Sequence, residues 1–462
     1  MNPTYPPSHL VSFFLVLTSF ISCFGAYHQN PNAQMLNHDH GYISQAVHHP
    51  FVTTNHRKGN DHKQWFPSLL TAKVVARRGT KANAPVNSPK VVNVDDFGAK
   101  ANGKDDSEAF KKAWSEACSS KRSAVIVVPK NKSYRLKPIT FSGPCKSDLQ
   151  FLIYGTIKAS PRISDYENDR RHWLVFENVQ KLRVRGGGTI DGNGKIWWVK
   201  SCKVNKSMPC KHAPTAVTFV DCMNLIVANV RFVNAQQMHL TFQQCRNVRA
   251  LNLVVLAPGN SPNTDGIHVT GTQNIRISKS VIKTGDDCIS IVSGSKNVQA
   301  TDIVCGPGHG ISIGSLGAGN SEATVSDVFV NRATLTGTTN GVRIKTWQGG
   351  SGYAKNIMFQ NVVMRNVSNP IIIDQNYCDR DSSCPEQASA VKISNVTYRN
   401  IRGTSESEVA LKFDCSKSIP CQAISLQDVS LTREEDGERA KAACANVKLA
   451  KRGKVSPQCS RG

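Results

Sequence analysis

The stretch HLTFQQCRNVRALNLVVL, residues 239–256, is followed by GIHVTGTQNIRISKSVI at 266–282 and CISIVSGSKNVQATDIV at 288–304. All three read alike: a short strand rich in β-branched residues, a turn, an asparagine, then a second strand of alternating apolar residues. The asparagine recurs at Asn178, Asn224, Asn247, Asn274, Asn297, Asn356 and Asn395, with steps of 23, 27 and 23 residues between Asn224 and Asn297. The strand before it recurs as AVTFVDC, HLTFQQC, GIHVTGT, CISIVSG, GISIGS, GVRIKTW and PIIIDQN. Units of this size cannot each bury an apolar face, so they must stack and share one core. The predicted fold is all-β, a single-stranded right-handed parallel β-helix. Its asparagines are expected to stack at the turns and satisfy one another. A β-propeller is the competing repeat, but its blades need about 40–45 residues.

Outward from this core, VVNVDDFGAKANGKDDSEAFKKAWSEAC (residues 91–118) opens as a strand and passes through a Gly/Asn/Asp turn into a helix starting near Ser107. Phe110, Ala113, Trp114 and Ala117 share one helical face, and Asp105 or Asp106 is suited to cap it. This helix is expected to close the N-terminal end of the β-helix, where bare strand edges would invite aggregation. Residues 26–90 carry seven of the 13 histidines and show no periodicity. They read as a low-complexity linker or propeptide, with Arg77-Arg78 a possible processing site. Leu10–Phe24 is an uncharged apolar run of 15 residues, followed by small residues before Ala26. That is signal-peptide grammar, and the run is short for a membrane span. The expected order is a signal peptide at 1–25, a linker at 26–90 and a catalytic domain at 91–462.

The chain has 462 residues, with 57 Lys and Arg against 33 Asp and Glu, a net charge of +24. Hydrophobic residues reach 39% and charged residues 19%, which argues against wholesale disorder. Residues 91–462 alone carry 49 basic and 31 acidic side chains, a net +18. Such an excess implies a polyanionic partner. There are 15 cysteines, 14 without Cys23 of the leader, and no CxxC pair that would suggest zinc. Disulfides are expected among the close pairs Cys202/Cys210, Cys378/Cys384, Cys415/Cys421 and Cys444/Cys459. Cys288 and Cys305 are expected to bond on adjacent coils, and Cys222 and Cys245 to stack and bond in the same way. Sequons at Asn131, Asn205, Asn366 and Asn395 fit an oxidising, extracellular setting. A wall or matrix polysaccharide is therefore expected rather than nucleic acid, and no membrane span, cofactor or metal is implied. A monomer is expected.

Aligning successive strands gathers unusual residues: Asn263 and Asp265, then Asp286 and Asp287, then His309, then Arg343 and Lys345. Neighbouring strands lie about 4.8 Å apart, so these form one patch. Arg343 and Lys345 should face outward together while Val342 and Ile344 point inward. Glycoside hydrolysis needs one protonated carboxyl and one carboxylate. Crowded carboxyls raise the pKa of at least one, and the adjacent cations suit the carboxylate of an acidic sugar. Strand spacing alone does not choose between retention and inversion.

Four motifs in order, Asn263-Thr-Asp265, Gly285-Asp-Asp287, Gly308-His-Gly310 and Arg343-Ile-Lys345, resemble the polygalacturonases of glycoside hydrolase family 28, most strongly their plant members. The segments VDDFGAKANGKDD and Gly188-Thr-Ile-Asp-Gly-Asn-Gly194, followed by Trp197-Trp198, strengthen the likeness, which spans about Val91 to Cys459. The resemblance implies hydrolysis of de-esterified pectin with inversion. It implies Asp286 as general acid, Asp265 and Asp287 as activators of water, and His309 as the group that tunes the acid. It further implies substrate contacts from Asn263, Arg343, Lys345 and Tyr377. Endo against exo attack stays open. A β-helical pectate lyase is the rival enzyme, distinguished by an unsaturated product and a need for calcium. A non-catalytic wall-binding module is the rival outside enzymes. It would bind polygalacturonate without releasing reducing ends.

Overall fold

The computed structural model describes residues 88–378 and 384–459. The expected signal peptide, the Arg77-Arg78 pair and nearly all of the expected linker lie outside the described residues. The rest is a right-handed parallel β-helix. One face is an 11-stranded parallel sheet running from Ile139–Ser142 to Lys441–Ala445. Its inward residues Leu240, Ile267, Ile289, Ile311, Val342 and Ile371 pair in register, 22 to 31 residues apart. The other strands form two further faces. These fuse from Gln273–Lys283 onward, where one long strand pairs both with Arg246–Leu251 and with Val254–Leu256.

The asparagine ladder forms as expected. Asn247 donates to Asn224 at 3.1 Å, Asn274 to Asn247 at 3.2 Å, and Asn297 to Asn274 at 2.8 Å. All four have φ between 54° and 59°, the left-handed region that asparagine tolerates better than most side chains. A second left-handed column, at Asn229, Asn252, Lys279, Asp302, Arg332, Asn361 and Asn400, bends each coil between the other two faces. It is hard to see in the sequence because lysine and arginine occupy two of its positions. Arg332 is held there by two hydrogen bonds to Asp302, at 2.6 and 2.9 Å.

The helix Ser107–Cys118 buries Phe110, Ala113, Trp114 and Ala117, the predicted face. Trp114 lies 5.1 Å from the Phe141 ring and 5.7 Å from Phe176, and its Nε1–H donates to Ser142 O at 3.0 Å. The Cys118–Cys145 disulfide fixes the helix end to the turn beyond that strand. Capping differs from expectation. Asp106 sits at the N-cap but accepts from Lys100 N at 2.7 Å, while Asp105 takes the Ser107 N–H at 3.0 Å.

Below the helix, Phe176, Phe219 and Phe242 stack on successive coils with centroids 5.0 and 5.6 Å apart. Phe219 is fully buried. Phe219→Ala is expected to cost about 3–5 kcal/mol, since no neighbour in a stacked core can collapse into the gap. Thermal or urea unfolding checks this, and an unchanged midpoint would contradict it.

Among the described residues six disulfides are present: Cys118–Cys145, Cys202–Cys210, Cys288–Cys305, Cys378–Cys384, Cys415–Cys421 and Cys444–Cys459. The expected Cys222–Cys245 bond is absent; both are buried free thiols. They are rungs of a ladder in which each side chain donates to a carbonyl one coil earlier. Cys222 donates to Phe176 O and Cys245 to Phe219 O, each at 3.4 Å. Thr272 and Ser295 continue the ladder with hydroxyls, to Phe242 O at 3.1 Å and Val269 O at 3.2 Å. Stacking repeats a side chain at about the 4.8 Å strand spacing, whereas a disulfide needs sulfurs about 2.05 Å apart.

Candidate active site

Four strands of the 11-stranded sheet build the site: Ile267–Thr270, Ile289–Ile291, Ile311–Leu316 and Asn340–Trp347. Their register aligns His268, Ser290, Ser312 and Arg343. The inward neighbours Ile267, Ile289, Ile311 and Val342 are fully buried, so the aligned column faces out of the core. Asp265 and Asp287 stand two residues before Ile267 and Ile289 respectively, at equivalent points of successive coils. His309 follows in the next coil, between Gly308 and Gly310 with φ of 142° and 86°. A Cβ at position 310 would lie 2.0 Å from Asn340 O, so only glycine lets the coils close there.

Each carboxylate has its own partners. Asp287 is buried, and its Oδ1 accepts from Ser312 Oγ at 2.8 Å and from the Arg343 guanidinium at 2.9 Å. Its Oδ2 faces Lys345 Nζ at 3.4 Å. Arg343 Nε also donates to Ser312 Oγ at 3.0 Å. Asp286 accepts from the Asp287 N–H at 2.8 Å and lies 2.9 Å from His309 Nδ1, while His309 N donates to Asp286 O at 2.8 Å. Asp265 accepts from Ser290 Oγ at 2.9 Å, and that hydroxyl lies 2.7 Å from His268 Nδ1.

The electrostatics separate the acids. Burial, then the charges of Asp286 and Asp287, push the Asp265 carboxyl well above the usual range, against Ser290 and Lys345. At Asp286, burial works upward too. There the hydrogen bond and charge of His309, with the charges of Lys345 and Lys203, outweigh it and hold the carboxyl below its ordinary value. Crowding thus raises Asp265 while His309 holds Asp286 down. Burial pushes His268 and His239 down to about 4, so both are neutral at ordinary pH.

Because the folded-state pKa of Asp265 is raised, its stabilising contribution is complete below the unfolded pKa and is lost as pH rises through the folded one. Asp265→Asn removes that loss. The variant is expected to melt above the wild type at pH 7, with the gap narrowing as pH falls toward about 4 and levelling off below it. A gap independent of pH would contradict the raised carboxyl.

The predicted residues fall into place unevenly. Asp265, Asp286, Asp287, His309, Arg343 and Lys345 come together, and Val342 and Ile344 point inward as expected. The two cations are not free, however, because both hold Asp287. Tyr377 joins the rim: Lys345 Nζ lies 5.4 Å above its ring, and Trp347 packs edge-on at 5.2 Å. Asn263 sits in the turn before Asp265 with φ 55°. His239 and His268 are two residues out of register, since Thr241 pairs with His268. His239 lies just before the strand Leu240–Gln243 and is fully buried under the backbone of Asp265, while His268 lies within its strand and faces the site column.

Ser290 and Ser312 were missed in the sequence reading. Each lies between two inward isoleucines in CISIVSG and GISIGS, and strict alternation could have placed them outward. Lys203 was missed too; no motif marks it, and it belongs to the loop stapled by Cys202–Cys210. The ligating atoms of Asp286, Asp287 and His309 lie within 4.8 Å of one another. The donor set does not suit a metal ion: His309 Nδ1 is committed to Asp286, and Arg343 and Lys345 already supply cations to Asp287.

The profile of the family described as "Glycosyl hydrolases family 28" matches residues 118–459. The chain is 59% identical over 452 residues to "Polygalacturonase QRT2" of Arabidopsis thaliana, covering 98% of this chain and 99% of that protein. It is 58% identical over 375 residues to "Polygalacturonase-2" of Solanum lycopersicum, covering 81% and 82%. Among solved structures, it superimposes with TM-score 0.66 and 24% identity on the endo-xylogalacturonan hydrolase of Aspergillus tubingensis, over 79% of this chain and 100% of that one. The polygalacturonase of Erwinia carotovora gives TM-score 0.64 at 22% identity, over 81% and 100%. At these identities the solved structures speak to the fold.

Proposed function

The chain belongs to glycosyl hydrolase family 28, and from that membership we propose that it is a polygalacturonase that hydrolyses α-1,4-galacturonosidic bonds of de-esterified pectin. The observation that carries this reading is the meeting of three carboxylates with Arg343 and Lys345 on one sheet face. A protonated carboxyl can serve the leaving oxygen, a carboxylate can activate water, and the cations suit the acid group of a uronide.

In this reading Asp286 is the general acid, and Asp265 and Asp287 hold and deprotonate the water. The unliganded electrostatics favour the proton on Asp265 and an ionised Asp286. An entering galacturonate brings a like charge and draws Lys345 toward itself. Both changes raise Asp286, and the reading requires the proton to stand on Asp286 rather than Asp265 when the bond breaks. Asp265 is then ionised as the base on the water, while Asp286–His309 faces the leaving oxygen. Hydrolysis returns one proton from water to Asp265 and spends one from Asp286, so the cycle closes. Direct attack by water gives inversion. Asn263 and Tyr377 serve as substrate contacts.

The six disulfides and the apolar leader support secretion to a cell wall, with residues 91–462 as the catalytic unit acting as a single chain. Among the described residues no helix is long and apolar enough to cross a membrane. The test is incubation with polygalacturonate, with and without chelator. New reducing ends, no ultraviolet-absorbing unsaturated product and indifference to chelator are expected. A chelator-sensitive unsaturated product would make the chain a lyase, and binding without reducing ends would make it a wall-binding module.

A further inference from the structure

On a face other than the 11-stranded sheet, a groove of about 370 Å³ crosses the strands Met223–Ala228, Arg246–Leu251, Gln273–Lys283 and Ser295–Cys305. One outward column runs along it in register: Arg183, Ile226, Arg249, Arg276 and Gln299. Arg249 and Arg276 are exposed. The described residues include no ion-pair partner for either within salt-bridge distance. The nearby acid Asp302 is taken up by Arg332. No carboxylate lines the groove.

Its edge is the asparagine ladder. Asn247, Asn274 and Asn297 each use one amide N–H for the preceding rung and have a second to offer. The groove therefore presents guanidinium groups, amide N–H donors and a half-buried apolar side chain, Ile226, repeating at about the 4.8 Å coil spacing. No aromatic side chain lines it, so it lacks the stacking platforms that single-stranded nucleic acid sites use. Guanidinium pairs carboxylate bidentately, amides suit hydroxyls, and an apolar patch suits the C–H face of a sugar.

We propose that this groove is a second binding site for polyuronide, centred on Arg249 and Arg276, which holds a stretch of the polymer away from the cleft. The proposal rests on the polygalacturonase reading for the identity of its ligand. Holding one stretch of a long chain raises the effective concentration of its other bonds at the cleft. A short oligogalacturonide that fills only the cleft gains nothing from it.

The test compares kcat/KM of the full chain on long polygalacturonate and on such an oligomer, for wild type, R249E/R276E and R249Q/R276Q. At low ionic strength the charge-reversed variant is expected to lose about fivefold or more on the polymer, with the glutamine variant between it and wild type. Activity on the oligomer is expected to stay unchanged, and the polymer effect to fade as salt is raised. Equal losses on both substrates, or no loss on the polymer, would overturn the proposal. If the wild type cleaves neither substrate, it is the polygalacturonase reading that fails. The groove is then judged by retention on immobilised polygalacturonate, and retention of R249E/R276E equal to wild type would overturn it.

Discussion

Asp286→Asn is expected to remove hydrolysis of polygalacturonate while leaving polymer binding near the wild-type level. A general acid contributes about 10²–10⁴ in rate, so kcat should fall by at least a hundredfold on that scale. The amide keeps the shape of the carboxyl, and its oxygen can still accept from His309 Nδ1 and the Asp287 N–H. It cannot deliver a proton to a leaving oxygen. Initial-rate assays on the variant, with binding measured separately, decide the matter. Retention of substantial activity would mean that the proton comes from another group. Asp265, whose carboxyl is held well above the usual range in the unliganded site, would be the first to test.

Arg343→Ala is expected to act on both kinetic constants. As a carboxylate ligand its loss should raise KM. Its guanidinium also holds Asp287 Oδ1 at 2.9 Å and Ser312 Oγ at 3.0 Å. Removing it leaves a buried carboxylate with Lys345 as its remaining cation. Breaking a buried pair costs about 3–5 kcal/mol when nothing replaces the partner, and Lys345 should keep the cost toward the lower end. Asp287 is then less firmly placed, and kcat should fall as well. Arg343→Lys restores charge without the planar fork, so it should recover part of the KM effect and little of the kcat effect. Michaelis–Menten analysis of both variants checks this. An unchanged KM would contradict substrate contact, and an unchanged kcat would contradict the brace on Asp287.

Much of this architecture is legible in the sequence, and the reason is repetition. Asparagine at one left-handed kink per coil marks the period directly, and alternation then assigns inward and outward faces. That was enough to bring Asp265, Asp286, Asp287, His309, Arg343 and Lys345 to one patch. What escaped has physical causes. The second kink uses Lys279 and Arg332, residue types that carry no turn signal. Cys222 and Cys245 looked bondable because spacing says which coils stack but not how far apart the sulfurs sit. His239 and His268 looked equivalent until register separated them by two residues and left His239 before its strand. Lys203 reaches the site through a loop, and loops obey no period. The distribution of the proton between Asp265 and Asp286 depends on burial and on which carboxyl His309 faces, and strand spacing contains neither.

The central claim is that a carboxyl acid and a carboxylate-held water act together, in one displacement, on a polygalacturonate bond. Proton NMR of the first turnovers, recorded before the sugar ends mutarotate, tests it most directly. The account predicts saturated products whose new reducing ends appear first as the β anomer. An α anomer appearing first, or an unsaturated non-reducing end, would contradict it.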